Sequence, residues 1–423
     1  MKKVIALFIA ALMIFTLTAC NSNSKADPPA AGGSDQAPAP ASSSAPAPAA
    51  AGDSGDAPAP APAPAPADGG GEVIGGVPLG PVDPSVNANS IGFFFDGVDP
   101  GSRKTYDVVW AYMRPMALFL NIHDALVELE PVLNAKITGY CANSDIDAML
   151  QNIGIYADQG VDGFIIVIDA TANVRIKEVL DETGLPYIAI LNSVRDDQGR
   201  EIVPLIGMEG FTIGHMMVQW LFDNYRNYWG DIDTSKIGML NYTFSPNRDF
   251  HERHLGNIEK FEELLPGNSS MIFPADGVSG ALDEQTGYDL ASATFAAHPE
   301  VEYWFVPSCL ELYAIAAARA AETLGIDSNV LITTANSDVL SAAWDSGYEG
   351  CFVSCIATHA LQYAAPALSG LVAMMDGVAT PESLWSTIRK PTDILTYYEM
   401  EVEILTIDTY QQFFARVRAE SGL

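Results

Sequence analysis

The residues best placed to do chemistry in this 423-residue chain are polar side chains that follow short apolar runs. Asp169 directly follows the apolar run 164–168, and Asn192 follows the run 187–191. Later runs end in the same way, with Tyr242 in a turn over 241–246, then Ser308 with Glu311, then Asn336 and Cys355. An earlier run from Ser90 closes on Phe95 and Asp96. Such groups donate and accept hydrogen bonds, which suits the holding of a small polar ligand. They do not assemble into a catalytic set. The chain contains no G-x-S-x-G, H-E-x-x-H, G-x-x-x-x-G-K-[ST] or strand-borne G-x-G-x-x-G, and Asp169 by itself is not a carboxylate pair. His251 and His254 form an H-x-x-H pair without a third ligand, which reads as helix surface or pocket rather than a metal site. Cys141, Cys309, Cys351 and Cys355 lack C-x-x-C spacing. Cys351 and Cys355 would lie ~13 Å apart on a strand, beyond disulfide reach, so free and largely buried thiols are expected. The chemistry indicated is binding without an enzyme's turnover, with no cofactor and no metal.

These residues need strands and helices to aim them. Residues 159–191 read as a complete βαβ unit. The run 164–168 suits a strand buried on both faces, with Asp169 at its carboxyl edge. Thr171 is placed to cap a helix, Val174, Ile176, Val179 and Leu180 recur at helical spacing, and Gly184 then Pro186 end it. Residues 187–191 form a second strand, so the crossover makes a parallel sheet whose ligands bind at the strands' carboxyl ends. Around this unit, strands are expected at 90–95, 136–140 and 203–207, and a helix at 146–159 capped by Asn143, Ser144 and Asp145. The aromatic stretch 106–120 reads as an amphipathic helix interrupted at Pro115. The pattern then repeats: helix 211–222, strand 236–240, helix 248–260, strands 271–273, 303–306, 330–333 and 351–354, helix 361–375, and a last strand 397–407.

The phrase Gln159, Gly160, Val161, Asp162, Gly163 followed by Asp169, Gly184, Leu185 and Pro186 resembles the periplasmic sugar-binding proteins of the ribose- and galactose-binding type. The resemblance runs in order from about Ser90 to the C-terminus. It implies an α/β fold of two doubly wound parallel-sheet lobes joined by a three-strand hinge, with a ligand cleft between them. The lobes implied are 89–208 with 356–393, and 209–355 with 394–423. It implies a sugar-stacking aromatic at Tyr106, with Phe95 second, and a hydrogen-bonding position at Asn143. Aligned on Glu252 and Arg253, the family's sugar-gripping arginine falls on His251, and Arg248 stands one turn earlier as a substitute. Where relatives carry amides and a carboxylate, this chain has Ser308, Asn336 and Cys355, so a bidentate grip on vicinal hydroxyls is weakened. The expected pocket is therefore more apolar than a pentose site.

The N-terminus has a different character. Lys2 and Lys3, the apolar stretch 4–17 and the end Leu17, Thr18, Ala19, Cys20 look like a lipoprotein signal over 1–19, cleaved before Cys20. By resemblance to bacterial lipoproteins, Cys20 carries a lipid that anchors the protein to the membrane. Residues 20–88 add an Ala/Pro-rich stalk, too poor in large apolar residues to offset its conformational entropy. Lys and Arg number 21 against 53 Asp and Glu, a net charge of −32, which disfavours nucleic acid. The partners implied are a sugar-like small molecule and the permease subunits of an ABC importer, the protein itself being a monomer. The competing reading keeps the fold but presents ligand to a chemoreceptor or histidine kinase, or binds a less polar ligand such as a nucleoside.

Overall fold

The computed structural model describes residues 73–74, 77–78, 99–385, 395, 397–421 and 423. The signal, Cys20, most of the stalk and the expected strand 90–95, with Phe95 and Asp96, lie outside them. Within the stretch read as stalk, Val73–Ile74 pairs antiparallel with Val77–Pro78.

Two six-stranded sheets carry the remainder. The first takes β1 (Tyr106–Tyr112), β2 (Ala135–Cys141), β3 (Gly163–Ile166), β4 (Tyr187–Ile190) and β5 (Leu205–Gly207) in the order β2-β1-β3-β4-β5, all parallel. The second takes β6 (Ile237–Thr243), β7 (Ile272–Asp276), β8 (Tyr303–Ser308), β9 (Val330–Ala335) and β10 (Phe352–Ile356) in the equivalent order β7-β6-β8-β9-β10. Each is the doubly wound order in which connections turn opposite ways on either side of the first strand, leaving a crevice at that switch point.

The stretch 106–112 is a strand, not part of a helix. It lies between β2 and β3, with Val108 opposite Gly163 and Trp110 opposite Gly139. Val109 and Ala111 join the core on one face, while Val108 and Trp110 join the core on the other. That period of two places aromatic and β-branched residues between neighbours on both sides, which outweighs the apparent helical spacing. The helix begins only after Pro115, as α1 (Ala117–Glu128).

Elsewhere the sequence signals operate locally. In α2 (Ile146–Asp158), Asp145 caps the N-terminus by accepting from the Ala148 amide at 2.9 Å. In α3 (Asn173–Thr183), Gly184 closes the helix at φ 67°. Thr171 does not cap α3; its hydroxyl donates to Asp169 at 2.5 Å and its amide to the same oxygen at 2.9 Å.

The chain passes between the sheets three times. The first passage follows β5 into α4 (Gly210–Trp229), which packs on the second sheet. The second follows β10 into α9 (Ala360–Met375), which packs on the first. In between come α5 (Arg248–Leu264), α6 (Glu284–Ala297), α7 (Glu311–Leu324) and α8 (Asp338–Asp345). The expected single strand over 397–407 is two. Here β11 (Tyr397–Glu399) pairs parallel with β5, whereas β12 (Ile404–Leu405) pairs antiparallel with β10. The third passage therefore falls between Glu399 and Ile404, after the first sheet has gained a sixth strand. The chain ends in α10 (Tyr410–Glu420).

Close helix packing seats α5 against α4. A Cβ on Gly214 of α4 would lie 2.3 Å from the Arg253 carbonyl oxygen, and one on Gly256 of α5 would lie 2.2 Å from that of Phe211. Only glycine lets the two backbones approach so closely.

Candidate functional site

A cavity of ≈ 330 Å³ opens where the carboxyl ends of both sheets face each other. The first lobe contributes Met113 to Phe119 after β1, Asp169 to Thr171 after β3, Leu191 and Asn192 after β4, and Met208 after β5. The second contributes Phe244, Asn247, Asp249, Phe250 and Arg253 after β6, Cys309 to Leu312 after β8, and Ala335, Asn336 and Val339 after β9. Both switch points thus face the same space, and its size is that of a small-molecule site.

The charged centre comes from α5. Asn247 caps this helix by accepting from the Phe250 amide at 3.1 Å. Asp249 and Arg253, one turn apart, then point from its buried side. Arg253 is 5% exposed, donates from Nη1 to the Cys309 carbonyl at 2.7 Å and lies over the Phe250 ring at 5.2 Å. Its Nε is buried without a hydrogen-bond partner. Burial pulls the guanidinium pKa down, with Asp249 opposing that shift. Burial likewise pushes Asp249 up to about 6, against the pull of Arg253. Glu311 accepts from the Val339 amide at 2.8 Å and that of Leu340 at 3.4 Å. Burial and the neighbouring Asp338 carboxylate hold Glu311 well above the usual carboxylate range.

Hydrogen bonds cross the cleft beside this centre. The Asn247 side chain donates to the Asn192 side-chain oxygen Oδ1 at 3.1 Å, the Ser193 amide donates to Asp249 at 3.4 Å, and Asn121 of α1 donates to Asp338 at 2.5 Å. The lobes are closed on one another in this conformation. Two cavity residues in equivalent positions have left-handed backbones, Leu191 after β4 at φ 74° and Asn336 after β9 at φ 75°. Asparagine tolerates this region, whereas for leucine it is a genuine outlier.

Of the residues singled out from the sequence, Asp169, Asn192, Glu311 and Asn336 line the cavity. Others stand elsewhere. Tyr106 starts β1, at the far end of the strand from the cleft, and its hydroxyl donates to Asp376 at 2.7 Å. Asn143 sits in the exposed turn before α2. Tyr242 is fully buried within β6 and donates to the Gly287 carbonyl at 2.7 Å, because a residue inside the strand faces core rather than cleft. Arg248 is exposed and paired with Glu252 at 2.6 Å. His251 stacks on His254 with ring centroids 5.8 Å apart, one step round the helix from the cavity face. Ser308 is buried and bonds the Leu310 carbonyl at 2.8 Å, leaving Cys309 and Leu310 to line the space. Cys355 is fully buried within β10. Cys141, Cys309, Cys351 and Cys355 are free thiols.

Asp249 and Arg253 were missed. Their signal was a spacing of four along α5, where Asp249, Arg253, Asn257 and Phe261 are all buried. A search for apolar periodicity passes over a buried stripe that is mostly polar.

No known protein-family model matches the chain, and no curated protein sequence does. Solved structures do resemble it. An ABC transporter solute-binding protein from Bacillus halodurans with bound myo-inositol aligns at TM-score 0.56 and 15% identity, over 74% of this chain and 98% of the other. A Caulobacter myo-inositol binding protein aligns at TM-score 0.58 and 15% identity, over 72% and 95%. A periplasmic ribose ABC transporter protein from Conexibacter woesei aligns at TM-score 0.56 and 18% identity, over 74% and 95%. At these identities the likeness establishes the fold, the two-lobed α/β architecture of periplasmic solute-binding proteins.

Proposed function

We propose that this protein is an extracytoplasmic solute-binding lipoprotein that captures a small, sugar-like molecule by closure of its two lobes and delivers it to an ABC importer. The observation that carries the reading is the cavity walled by strand ends of both sheets and bridged by hydrogen bonds between the lobes. Three chain passages between the lobes supply a hinge, and a ligand that touches both walls favours the closed state by its differential affinity for it. The structures it resembles include proteins named for myo-inositol and ribose binding, which supports a ligand of that size and polarity.

In this reading Asp169, Asn192, Glu311 and Asn336 join Asp249 and Arg253 as ligand-facing groups, and the protein binds one ligand without converting it. Cys20 carries the anchor, so Cys20→Ser releases the protein from the membrane fraction or blocks its processing. Titration calorimetry against sugars and polyols tests binding directly. Stoichiometric heat with recovery of unchanged ligand is expected; chemical conversion of the ligand would overturn the reading. Asp169→Ala is expected to weaken binding by ~1.5–3 kcal/mol, the scale of a hydrogen bond to a charged group. Unchanged affinity would remove Asp169 from the site.

A further inference from the structure

One carboxyl group of the cavity is buried beside a like charge and has no counterion. Glu311 is 9% exposed, lines the cavity, and engages one oxygen with the amides of Val339 and Leu340. Its other oxygen makes no hydrogen bond. The Asp338 carboxylate of α8 stands beside it, accepting from Asn121 through one oxygen while the other is buried and unpartnered. Behind the pair are the Cys355 thiol of β10 and the Tyr363 hydroxyl of α9, both uncharged. Burial raises both carboxyl groups, Asp338 raises Glu311 further, and among the described residues no cation draws either one down. Arg253 does not supply that charge: it donates to the Cys309 carbonyl and acts on Asp249.

The other unengaged groups suit hydroxyls. Asp169 accepts both Thr171 bonds through a single oxygen, Asn336 lines the cavity with its side-chain amide unbonded, and Arg114 engages only Nε, with the Ser144 hydroxyl. Together they offer acceptors and donors on both walls. The Arg114 guanidinium belongs to the first lobe and repels a cation there, so a cationic end is directed to Glu311 in the second.

Resting on the solute-binding reading above, we infer that the preferred ligand is a small hydroxylated ring compound bearing one primary amine, an amino sugar or aminocyclitol, with its ammonium group against the free oxygen of Glu311 and its hydroxyls toward Asp169, Asn336 and Arg114. The ammonium supplies the counterion that the buried pair lacks, in a charge-assisted hydrogen bond. Glu311 then binds as carboxylate. The proton it held before binding leaves for the buffer, while the ammonium keeps its own three.

Calorimetry on the full chain tests this with galactosamine against galactose and N-acetylgalactosamine, with glucosamine, galacturonate and putrescine beside them. An amino sugar is expected to bind at least tenfold more tightly than its parent sugar and its N-acetyl form. Its heat should differ between phosphate and Tris buffers by a released proton, and its affinity relative to galactose should rise from about pH 5 to about pH 7. Tightest binding by a neutral sugar overturns this inference and leaves the solute-binding reading standing. Tightest binding by galacturonate overturns the cationic end, and tightest binding by putrescine overturns the hydroxylated ring. No binding by any probe counts against both readings. Glu311→Gln keeps an acceptor for the Val339 and Leu340 amides, and its melting temperature reports whether it folds. It is expected to cut galactosamine affinity at least tenfold and to end the proton release; a folded variant that keeps both overturns the role of Glu311.

Discussion

The two lobes share a strand order and differ in what they bring to the cleft. The first presents loops after β1, β3 and β4 whose contribution is mainly apolar, with Asp169 folded back onto Thr171. The second presents a helix, α5, that carries the buried Asp249 and Arg253 into the same space. Equivalent left-handed positions hold leucine in one lobe and asparagine in the other. The sixth strand is parallel in the first sheet and antiparallel in the second. One topology thus supplies a wall and a polar grip from the same strand ends, and the division of labour lies in the side chains and in how closely a helix can approach.

That comparison is most directly broken at the glycines. Gly256→Ala forces a methyl group into the Phe211 backbone, where only separation of α4 and α5 relieves it. A loss of ~3 kcal/mol or more, or failure to fold, is expected in chemical denaturation. Gly370→Ala on α9 of the first lobe meets side-chain carbons of Ile188 and Trp385 at 3.1 Å, which can shift. A cost of ~1 kcal/mol is expected there. Equal costs would show that the helix seat in the second lobe is not special.

A smaller effect separates the lobes by pH. Glu201, on the first-lobe side, is 2% exposed and accepts from the Val194 amide at 2.9 Å. Burial pushes its carboxyl from 4.5 to about 7, and burial pushes Asp249 of the second lobe from 3.8 to about 6. Both folded values are raised, so the stability each contributes is complete below its unfolded value and is lost as pH rises through the folded one. Stability should fall between about pH 4 and pH 7 on this account, by on the order of 2–3 kcal/mol for Glu201. Glu201→Gln keeps an acceptor for Val194 and should flatten the upper part of that slope, leaving the part near pH 6 that belongs to Asp249. An identical pH profile of unfolding in the variant would exclude Glu201 as the source.

The smallest change concerns closure. Asn121→Ala removes the exposed bond to Asp338 without touching the cavity, so ligand affinity should drop about two- to fivefold while the apo melting temperature stays put. Asn247→Ala removes a cross-cleft bond and the cap of α5 together, and should lower both affinity and, by ~1 kcal/mol, stability. If Asn121→Ala binds as tightly as the parent chain, that bridge has no part in closure.

Much of this was legible because it is local. Runs such as Phe164 to Ile168 are apolar throughout, since strands buried on both faces leave no position for polarity, and the residue after each run must lie at a strand's carboxyl end. The cavity positions of Asp169, Asn192, Glu311 and Asn336 followed from that rule, while the cap at Asp145 and the stop at Gly184 followed from helix-capping signals. What escaped was nonlocal. Tyr106 to Tyr112 carries aromatic and aliphatic residues that suit either period, and only its neighbours β2 and β3 make it a strand. The sequence by itself determined the βα units, their order and the ends at which polar groups would gather, because apolar runs, caps and breakers act within a few residues. The tertiary structure decided which of those groups meet. Arg253 lines the cavity from a helix whose backbone Gly214 and Gly256 allow to approach α4, and a hydrogen bond from Asn247 brings Asn192 of the other lobe to the same space; neither approach is written in any short stretch of the chain.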